Sequence, residues 1–515
     1  MFPTVHDNGW EACPMKQQRP GCAKRAPILV VLLCVAGCGQ SPAERPDGPY
    51  QATGMKIGEV TDTQAIVWTR LTQEPVRIGT EAPMPIFRYR VPGSDELDEN
   101  PPGPSFPPDW VPVVQYPEGS SIDAIEGAVT GSPGEARVQF RAADAGEWQS
   151  TNWEAMDPEH DFTRQFTLTG LAPATAYELR VEARPPGNEA IGSTLDGRFH
   201  TAPPSDQPAR VVFAATTGTD YEDQDAPEGG FRIFQSVMDL GADFFVHTGD
   251  ILYYDTWAKN VDLARWGWAR MFSLPTNVEF HRQVPTYFMK DDHDTWQNDA
   301  WPTQESLFMG DFTFQNGVEI FKEQVPMGEL TYRTFRWGQD VQIWLVEGRD
   351  YRSANVAPDG PGKTIWGAEQ KSWFKETVEA SDATFRILIS PTPFVGPDAP
   401  DKRDSHANEG FATEGRELRQ FLMAHDMLVI CGDRHWQYVS LDDETGLREH
   451  ATGAASDAHA SGWTQGDVRP EHRYLNVVGG FLSVTAERVD GTPTLALRNH
   501  GVDGDVLFED VLSAE

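Results

Sequence analysis

Acidic, histidine and tyrosine side chains recur in three short clusters between residues 250 and 435. The clustered residues are Asp250 with Tyr253, Asp292 with His293, and Asp433 with His435. Carboxylate and imidazole groups together suit iron, manganese or zinc, and carboxylates alone also suit calcium. Two such cations about 3.5–4 Å apart can clamp a phosphoryl group and generate a hydroxide nucleophile near neutral pH. A centrally placed carboxylate such as Asp250 would bridge the two ions.

Each cluster follows a segment that is predicted to be a β-strand. The strands that precede the clusters are predicted at 243–247, 286–289 and 427–431, and further strands at 211–215, 341–346 and 385–390. Helical segments are predicted at 231–240, 368–380 and 414–424. This alternation predicts an α/β domain, in which ligands bind outside the carboxyl ends of the strands. A single Gly-Asp pair would be an ordinary turn, but three such strand ends favour one shared metal site.

The composition excludes several classes of partner. The chain has 515 residues, which predicts two or three domains, and its formal net charge is −36. Nucleic acid needs a basic face and is therefore excluded, and direct docking on anionic lipid is disfavoured. Four of the five cysteines lie within the first 38 residues, so the remainder has no disulfide framework. The fifth, Cys431, lies in an apolar run and is predicted to be a buried packing residue. No obligate protein partner is indicated.

The N-terminal segment has the features of a targeting signal. Two basic residues precede the apolar run 28–36, which is too short to span a bilayer and suits a signal peptide. The run ends in Val-Ala-Gly-Cys, which resembles a bacterial lipobox. The predicted parts are a signal peptide (1–38), a lipid-carrying Cys38 and a polar tether (39–49). We therefore expect an extracytoplasmic, lipid-anchored protein. An ordinary secretory signal is the alternative, and Met15 would make a more usual start than the first residue.

Residues 50–205 are predicted to form a β-sandwich. Short strand-like runs between Gly and Pro turns are typical of that architecture, and they lie at 56–60, 64–69, 135–140, 162–168 and 171–181. The sequence Leu-Ala-Pro-Ala-Thr-Ala-Tyr, which ends at Tyr177, resembles the corner before a late strand in fibronectin type III domains. Residues 80–132 are rich in Pro, Gly and acidic residues, which predicts a long insertion or loop.

The clusters stand in blocks of sequence that resemble a known family. The blocks are Phe-Phe-Val-His-Thr-Gly-Asp-Ile-Leu-Tyr-Tyr at 244–254, Lys-Asp-Asp-His-Asp at 290–294 with Asn298 and Asp299, Cys-Gly-Asp-Arg-His at 431–435, and further blocks at 347–352, 389–393 and, more weakly, 495–507. They resemble the blocks of the PhoD-like (alkaline phosphatase D) family of calcineurin-like metallophosphoesterases. The resemblance implies an α/β metallophosphatase domain over 209–509, with the four-layer αββα sandwich of metallophosphoesterases. It also implies an N-terminal fibronectin III-like β-sandwich domain.

The resemblance implies a role for the residues of the first two clusters. Asp250 would bridge two metal ions, and Tyr253 would bind a ferric-type ion as a phenolate. Asp292 would bind the second metal. His293 would be the general acid or would stabilise the transition state.

The remaining ligands and the cofactors follow from the same resemblance. Asp433 and His435 would complete the metal shell, and Asn298 would be either a calcium ligand or a cap. The implied cofactors are iron and calcium, with manganese or zinc as alternatives.

One position departs from the pattern of the family. Members of the family end the first strand of this domain in a Ser-Cys pair, whose thiolate binds iron. Here the strand continues into Thr-Thr-Gly-Thr-Asp, with Thr216 at the expected cysteine position. A neutral hydroxyl is a poor substitute for a thiolate, so either Asp220 supplies the missing ligand or another metal replaces iron.

Two arginines and two tryptophans flank the clusters, and each has a functional and a structural interpretation. A guanidinium can hold phosphate oxygens in a bidentate manner, which makes Arg349 and Arg352 candidates for substrate binding. We assign Arg349 to the catalytic set, with a structural salt bridge as the alternative for both. Trp296 and Trp436 would either wall the pocket or pack in the core.

The function predicted from these residues is hydrolysis of extracytoplasmic phosphate monoesters or diesters by a metal-activated hydroxide. A metallohydrolase that acts on another ester is one alternative. The other is a catalytically decayed, metal-binding surface protein whose β-domain binds glycan or protein. The presence of His293 and His435 argues against decay, whereas the missing cysteine argues for it.

Overall fold

The computed structural model of the protein describes residues 48–99, 109–399 and 402–514. The predicted signal peptide, its lipidation site Cys38 and nearly all of the predicted tether lie outside these ranges. Within them, no helix combines the length and the apolar character that crossing a bilayer requires.

The N-terminal region is built from short β-strands. They are β1 (Met55–Gly58), β2 (Gln64–Arg70), β3 (Ile86–Arg90), β4 (Leu97–Asp98), β5 (Val111–Gln115), β6 (Glu135–Ala142), β7 (Gln149–Ser150), β8 (Glu154–Ala155), β9 (Thr163–Thr169), β10 (Ala176–Arg184) and β11 (Ser193–His200). One antiparallel sheet has the order β1-β2-β9, and a second has the order β11-β10-β6-β7, with β8 also paired to β6. Alternate residues of β10 are buried, as expected for a sheet with one face on a core. This arrangement is consistent with the predicted β-sandwich.

The predicted corner at Tyr177 has the expected local structure. The Tyr177 ring is buried, and its hydroxyl oxygen accepts a hydrogen bond from the Ala172 backbone N–H at 2.8 Å. The Thr201 hydroxyl donates to the Ala172 carbonyl at 2.7 Å, which ties the corner to the end of β11. Such a tyrosine contact to the backbone upstream is a feature of immunoglobulin-like sandwiches.

The segment 80–132 is predicted from the sequence to be a long insertion or loop, and the loop alternative is wrong for part of it. Strands β3, β4 and β5 form a separate sheet with the order β4-β3-β5. Tyr89 of β3 stacks on Phe308 with ring centroids 4.7 Å apart, and Phe87 packs edge-on against Trp257 at 5.3 Å. The sequence signal is weak because only Tyr89 in β3 is buried and because Pro112 interrupts β5. Proline is tolerated there because β5 is an edge strand.

The remaining described residues alternate between strands and helices. They form β12 (Val211–Thr216), α1 (Arg232–Asp239), β13 (Phe244–His247), α2 (Tyr254–Trp257), α3 (Val261–Phe272), α4 (Pro275–His281), β14 (Thr286–Phe288), α5 (Phe314–Gln324), β15 (Arg333–Trp337), β16 (Val341–Leu345), α6 (Gly367–Glu379), β17 (Phe385–Ser390), α7 (Ala412–Ala424), β18 (Met427–Cys431), β19 (Gln437–Leu441), β20 (Arg448–Thr452), β21 (His472–Asn476), β22 (Phe481–Val489), β23 (Thr492–His500) and β24 (Val506–Ser513). One mixed sheet has the order β14-β13-β12-β22-β23-β24, and the other has the order β15-β16-β17-β18-β20-β19-β21.

The two mixed sheets share one apolar core. Phe213 and Val246 from the first sheet belong to the same buried cluster as Ile387 and Ile430 from the second. The opposite face of the first sheet packs against α1, α3, α4 and α5, and that of the second packs against α6 and α7. The layers therefore run from helices through two sheets to helices, and the parallel strands β13, β14 and β18 direct their carboxyl ends to the candidate site.

The N-terminal region packs directly on this part of the chain. The buried Lys56 ammonium donates to the Gln324 carbonyl at 2.7 Å and lies 3.4 Å from the centroid of the Trp68 ring. The Trp68 indole N–H donates to the Glu323 carbonyl at 2.8 Å, and the Tyr287 hydroxyl donates to the Val60 carbonyl. Hydrogen bonds thus fix the first β-sheet to α5 and β14. The predicted domain boundaries at 205 and 209 stay a prediction.

Candidate metal centre

The strand ends that carry the acidic clusters have unusual backbone conformations. Asp250 and Asp433 have φ of 56° and 61°, and Asp299 has φ of 56°. These values are in the left-handed region, which aspartate adopts more readily than most residues and which often marks functional sites. Gly249 has φ of 120°, and a Cβ atom there would lie 2.7 Å from the Asp291 Cβ. Glycine at this position therefore allows the loops after β13 and β14 to approach each other.

Three buried carboxylates meet between these two loops. Oxygen atoms of Asp250, Asp291 and Asp292 lie within 4.8 Å of one another, and we call these residues the carboxylate group. Asp250 Oδ1 and Asp291 Oδ2 are buried without a hydrogen-bond partner in the described part of the chain. Burial, reinforced by the neighbouring carboxylates, raises the pKa of Asp250 well above its ordinary value. A cation would satisfy both oxygens and offset the repulsion, so these residues fit the metal that the sequence implies.

A second set of donors lies next to the carboxylate group. The Tyr253 oxygen is 2.5 Å from His459 Nε2 and 3.3 Å from His435 Nε2, and we call these three residues the imidazole–phenol group. His435 Nε2 is also 3.2 Å from Asp250 Oδ2, which links the two groups. Nitrogen and oxygen donors in this combination suit iron, zinc or manganese.

In the family that the sequence resembles, the end of β12 carries a metal ligand, but here its threonine hydroxyls hydrogen-bond to the backbone. The Thr216 hydroxyl donates to the carbonyls of Gly480 and Gly453, so its proton is engaged with the backbone. The Thr217 hydroxyl donates to the Gly249 carbonyl at 3.2 Å and accepts from the Asp433 backbone N–H at 3.2 Å. The second threonine therefore ties together the loops that carry Asp250 and Asp433.

Asp433 and His435 reach the site from the loop after β18. The Asp433 carboxylate is paired with the guanidinium of Arg434, which also contacts Asp398 at 2.5 Å. Burial is the largest influence on Asp433 and raises its pKa well above the ordinary range. Asp433 therefore stands beside the carboxylate group with one oxygen neutralised by its neighbour in sequence.

His293 is positioned by a carboxylate that the sequence analysis did not identify. Its Nδ1 lies 2.8 Å from Asp255 Oδ2, and its ring centroid lies 4.5 Å from that of Tyr253. Burial opposes the charged imidazolium, but Asp255 and Asp292 outweigh it and raise the pKa of His293 well above its ordinary value. The side chain is 16% exposed, so its other ring nitrogen is available to a bound substrate as a proton donor.

Asp292 and Asp294, on either side of His293, make different contacts. Asp292 accepts backbone hydrogen bonds from His293 and Asp299, at 3.0 and 2.6 Å, which hold its carboxylate in place. Asp294 accepts from the backbone N–H groups of Ile251 and Asp291, at 3.1 and 2.6 Å. Asp294 thus holds the two loops together, and Asp255 is the carboxylate that pairs with His293.

The two candidate arginines are buried in ionic networks. Arg349 is fully buried, and its Nε donates to Asp291 Oδ1 at 2.5 Å, while its Nη2 lies 3.7 Å from Asp292 Oδ2. Its two terminal nitrogens have no hydrogen-bond partner among the described residues. Arg352 donates to the Asp404 carbonyl. The salt-bridge interpretation therefore describes the contacts of Arg349, which supports the carboxylate group from behind.

Asn298, Asp220 and the tryptophans are also in defined positions. The Asn298 backbone N–H donates to Asp255 Oδ2 at 3.0 Å, and no helix of the described ranges begins at this residue, so the cap interpretation is wrong. The Asp220 carboxylate accepts from the Glu222 backbone at the start of a short 3₁₀ helix and lies within 4.8 Å of Asp223 and His459. The Trp296 indole donates to the Phe312 carbonyl at 2.7 Å, and Trp436 stacks on Trp463, which supports their packing interpretation.

Four residues of the site were missed by sequence reasoning, namely Asp223, Asp255, Asp291 and His459. Asp291 lies in the block 290–294, next to the predicted ligand Asp292, so its position in the sequence already indicates a candidate ligand. His459 lies in a loop of small residues after β20, and a bridge between Thr217 and Ala454 brings that loop to the end of β12. No local pattern indicates this long-range pairing.

Comparisons with known proteins agree with this geometry. Residues 213–462 match the family model of the PhoD-like phosphatases. A solved structure described as PhoD is 15% identical, with a TM-score of 0.64, and the match covers 93% of this chain and 92% of that chain. Purple acid phosphatase PPD1 from seeds of yellow lupin (Lupinus luteus) is 12% identical, with a TM-score of 0.59, over 89% of this chain and 74% of that chain. No curated protein matches the sequence. Residues 213–462 are therefore similar to the PhoD-like phosphatases, and the chain has the fold of PhoD and of a purple acid phosphatase.

Proposed function

We propose that the protein is a metal-dependent phosphoesterase that hydrolyses phosphate monoesters or diesters outside the cytoplasm. The observation that carries the proposal is the convergence of the carboxylate group and the imidazole–phenol group at the carboxyl ends of strands from both mixed sheets. Such paired groups are suited to two cations acting on one phosphoryl group.

The residues of this chain supply the other parts of the mechanism. Bound cations would provide Lewis acidity for the phosphoryl oxygens and acidify the attacking water. Asp255 holds His293 by its Nδ1, so Nε2 of His293 faces the substrate and donates a proton to the departing alkoxide oxygen. Arg349 holds Asp291 and restrains Asp292, which keeps the carboxylate group in place during turnover.

The proposal extends to the cofactors and to the location. Iron, manganese or zinc suits the imidazole–phenol group, and calcium suits the carboxylate group. The lipobox-like sequence supports a lipid anchor at Cys38. The anchored protein would face the periplasm or lie on the cell surface. Labelled palmitate should enter the wild-type protein and not Cys38→Ala, and equal labelling of the two would contradict the anchor.

A reconstitution experiment tests the function. The purified protein is stripped with a chelator and then loaded with single metals or pairs of metals. Phosphate release is measured on a panel of monoesters and diesters with good and poor leaving groups. We expect no turnover from the stripped protein and recovery with at least one pair of metals. A protein that binds metal and hydrolyses only carboxylic esters would support the alternative metallohydrolase. One that binds metal and hydrolyses nothing would support decay.

A further inference from the structure

His459 is held at both ring nitrogens. Its Nδ1 lies 3.0 Å from Asp223 Oδ2, and its Nε2 lies 2.5 Å from the Tyr253 oxygen. A histidine that binds a metal through one nitrogen commonly donates its other N–H to a carboxylate, which fixes the tautomer and the ring direction. Asp223 stands in that position behind His459, on the short 3₁₀ helix 221–223 whose first turn is capped by Asp220.

The Nε2 atom of His459 and the Nε2 atom of His435 point into the same space. The two imidazole centroids are 4.3 Å apart, and both Nε2 atoms face the Tyr253 oxygen. Gly218 makes this approach possible, because a Cβ there would lie 3.0 Å from His459 Cδ2 and 3.1 Å from His435 Nε2. Two nitrogens and a phenol oxygen therefore converge, with Asp250 Oδ2 beside them at 3.2 Å from His435 Nε2.

The hydrogen-bonding roles of these groups indicate which ring nitrogen of His459 presents its lone pair to the site. A phenol has a single O–H and can donate to only one of the two imidazole nitrogens. Asp223 requires the proton of His459 on Nδ1, so Nε2 of that ring is a lone-pair acceptor. A cation at the meeting point would accept the lone pairs of both imidazoles and of the phenol oxygen together.

We propose that His459 is a protein ligand of the metal position formed by Asp250, Tyr253 and His435, and that Asp223 is its positioning residue. The inference rests on the proposed function and deepens it, because it assigns the donor set of one metal. It also explains how the site manages without a thiolate at the end of β12, where the hydroxyls of Thr216 and Thr217 are engaged with the backbone. The donor set of two imidazoles, a phenolate and a carboxylate selects a borderline cation such as zinc or iron over calcium.

A chemical-rescue experiment tests the assignment without relying on catalysis. Zinc binding to the stripped protein is measured by titration and metal analysis for wild type, His459→Gly and His459→Gly with added imidazole. The matched control is His425→Gly, whose ring contacts Phe421 at the end of α7. We expect His459→Gly to lose about one of the two metal equivalents of a two-metal site, imidazole to restore it, and the control to bind as wild type does. Asp223→Asn should weaken the same equivalent by about 10–100-fold, the usual cost of losing such a partner.

The outcomes separate this inference from the proposed function. The inference is overturned if His459→Gly binds as much zinc as wild type does. It is also overturned if the variant loses zinc, imidazole does not restore the binding, and the metal-free variant unfolds at the same temperature as metal-free wild type. If His459→Gly does not fold, Asp223→Asn decides, because its amide keeps the shape of the carboxylate. A wild-type protein that binds no metal would overturn the proposed function together with the inference. Wild-type binding and turnover with unchanged variants would overturn the inference alone.

Discussion

The carboxylate group and the imidazole–phenol group lie side by side but differ in their chemistry. The carboxylate group offers only oxygen, is almost fully buried and is backed by the Arg349 guanidinium. The imidazole–phenol group offers nitrogen and phenol oxygen, and Asp223 backs it instead of a cation. Hard cations such as calcium prefer the first environment, and borderline cations prefer the second. One site would therefore combine two metal preferences, because a single carboxylate, Asp250, contacts both groups.

Asp250→Asn should have the largest effect, because Asp250 belongs to one group and contacts the other. Asparagine tolerates the left-handed backbone at this position, so the fold should be retained while the bridging charge is lost. We expect both metal equivalents to be lost and phosphate release to fall by more than about 100-fold, the upper cost of a supporting partner. Metal analysis and turnover measure this, with the exposed Asp443→Asn as control. Loss of only one metal would show that Asp250 serves one group and does not join them.

His293→Ala should reduce catalysis without emptying either group. The ring is paired with Asp255 and contacts Tyr253, and within the described ranges it makes no hydrogen bond to a member of the carboxylate group. Since general acids typically contribute about 10²–10⁴-fold, we expect kcat to fall by that factor on substrates with poor leaving groups and much less on activated esters. Metal content should stay at the wild-type value. A drop in thermal stability with unchanged activity would instead assign His293 to structure.

Arg349→Lys should distinguish the two groups from each other. Lysine keeps the positive charge near Asp291 but cannot span Asp291 and Asp292 as a planar guanidinium does. We expect calcium affinity to fall by about 10–100-fold, as for other residues that support ligands, while zinc affinity remains unchanged. Separate titrations with the two metals measure this difference. Equal weakening of both metals would mean that the groups are one coupled site.

Thiol modification should have the smallest effect on either group. Cys431 is fully buried in β18, its thiol is 3.4 Å from the Tyr438 hydroxyl, and burial raises its pKa well above the ordinary value. A thiol reagent applied to the native protein should therefore leave metal content unchanged. Release of metal with the fold intact would show that Cys431 is a ligand and would contradict the nitrogen–oxygen assignment.

The sequence predicts elements best where burial is continuous. Strands 385–390 and 427–431 have the predicted bounds, because β17 and β18 are apolar runs inside the shared core. The recognised clusters meet at one edge because parallel strands place their carboxyl ends together. The sheet β3–β5 was not predicted, because its few apolar residues pack on side chains far along the chain, such as Phe308 and Trp257.

The sequence predicts the site residues that lie in the three strand-end clusters, but four residues of the site are not predicted from it, namely Asp223, Asp255, Asp291 and His459. Asp250 and Asp292 are predicted as site residues because each follows a predicted strand. This pattern can be recognised from local sequence alone. Asp255 and His459 depend on how the chain returns to the site, through the His293 contact and the bridge at Ala454. The orientation of Thr216 was also outside the reach of sequence, because its hydroxyl is held by carbonyls of two distant loops.

The contacts between the N-terminal strands and the part of the chain that begins at β12 also limit how this protein can be divided or recombined. Lys56 and Trp68 have their hydrogen-bond acceptors on α5, and Tyr89 of the inserted sheet lies against Phe308. A chain cut before β12 would expose buried aromatic side chains and leave the carbonyl acceptors on α5 without these donors. An engineered exchange of either part would therefore have to keep both sides of this contact together.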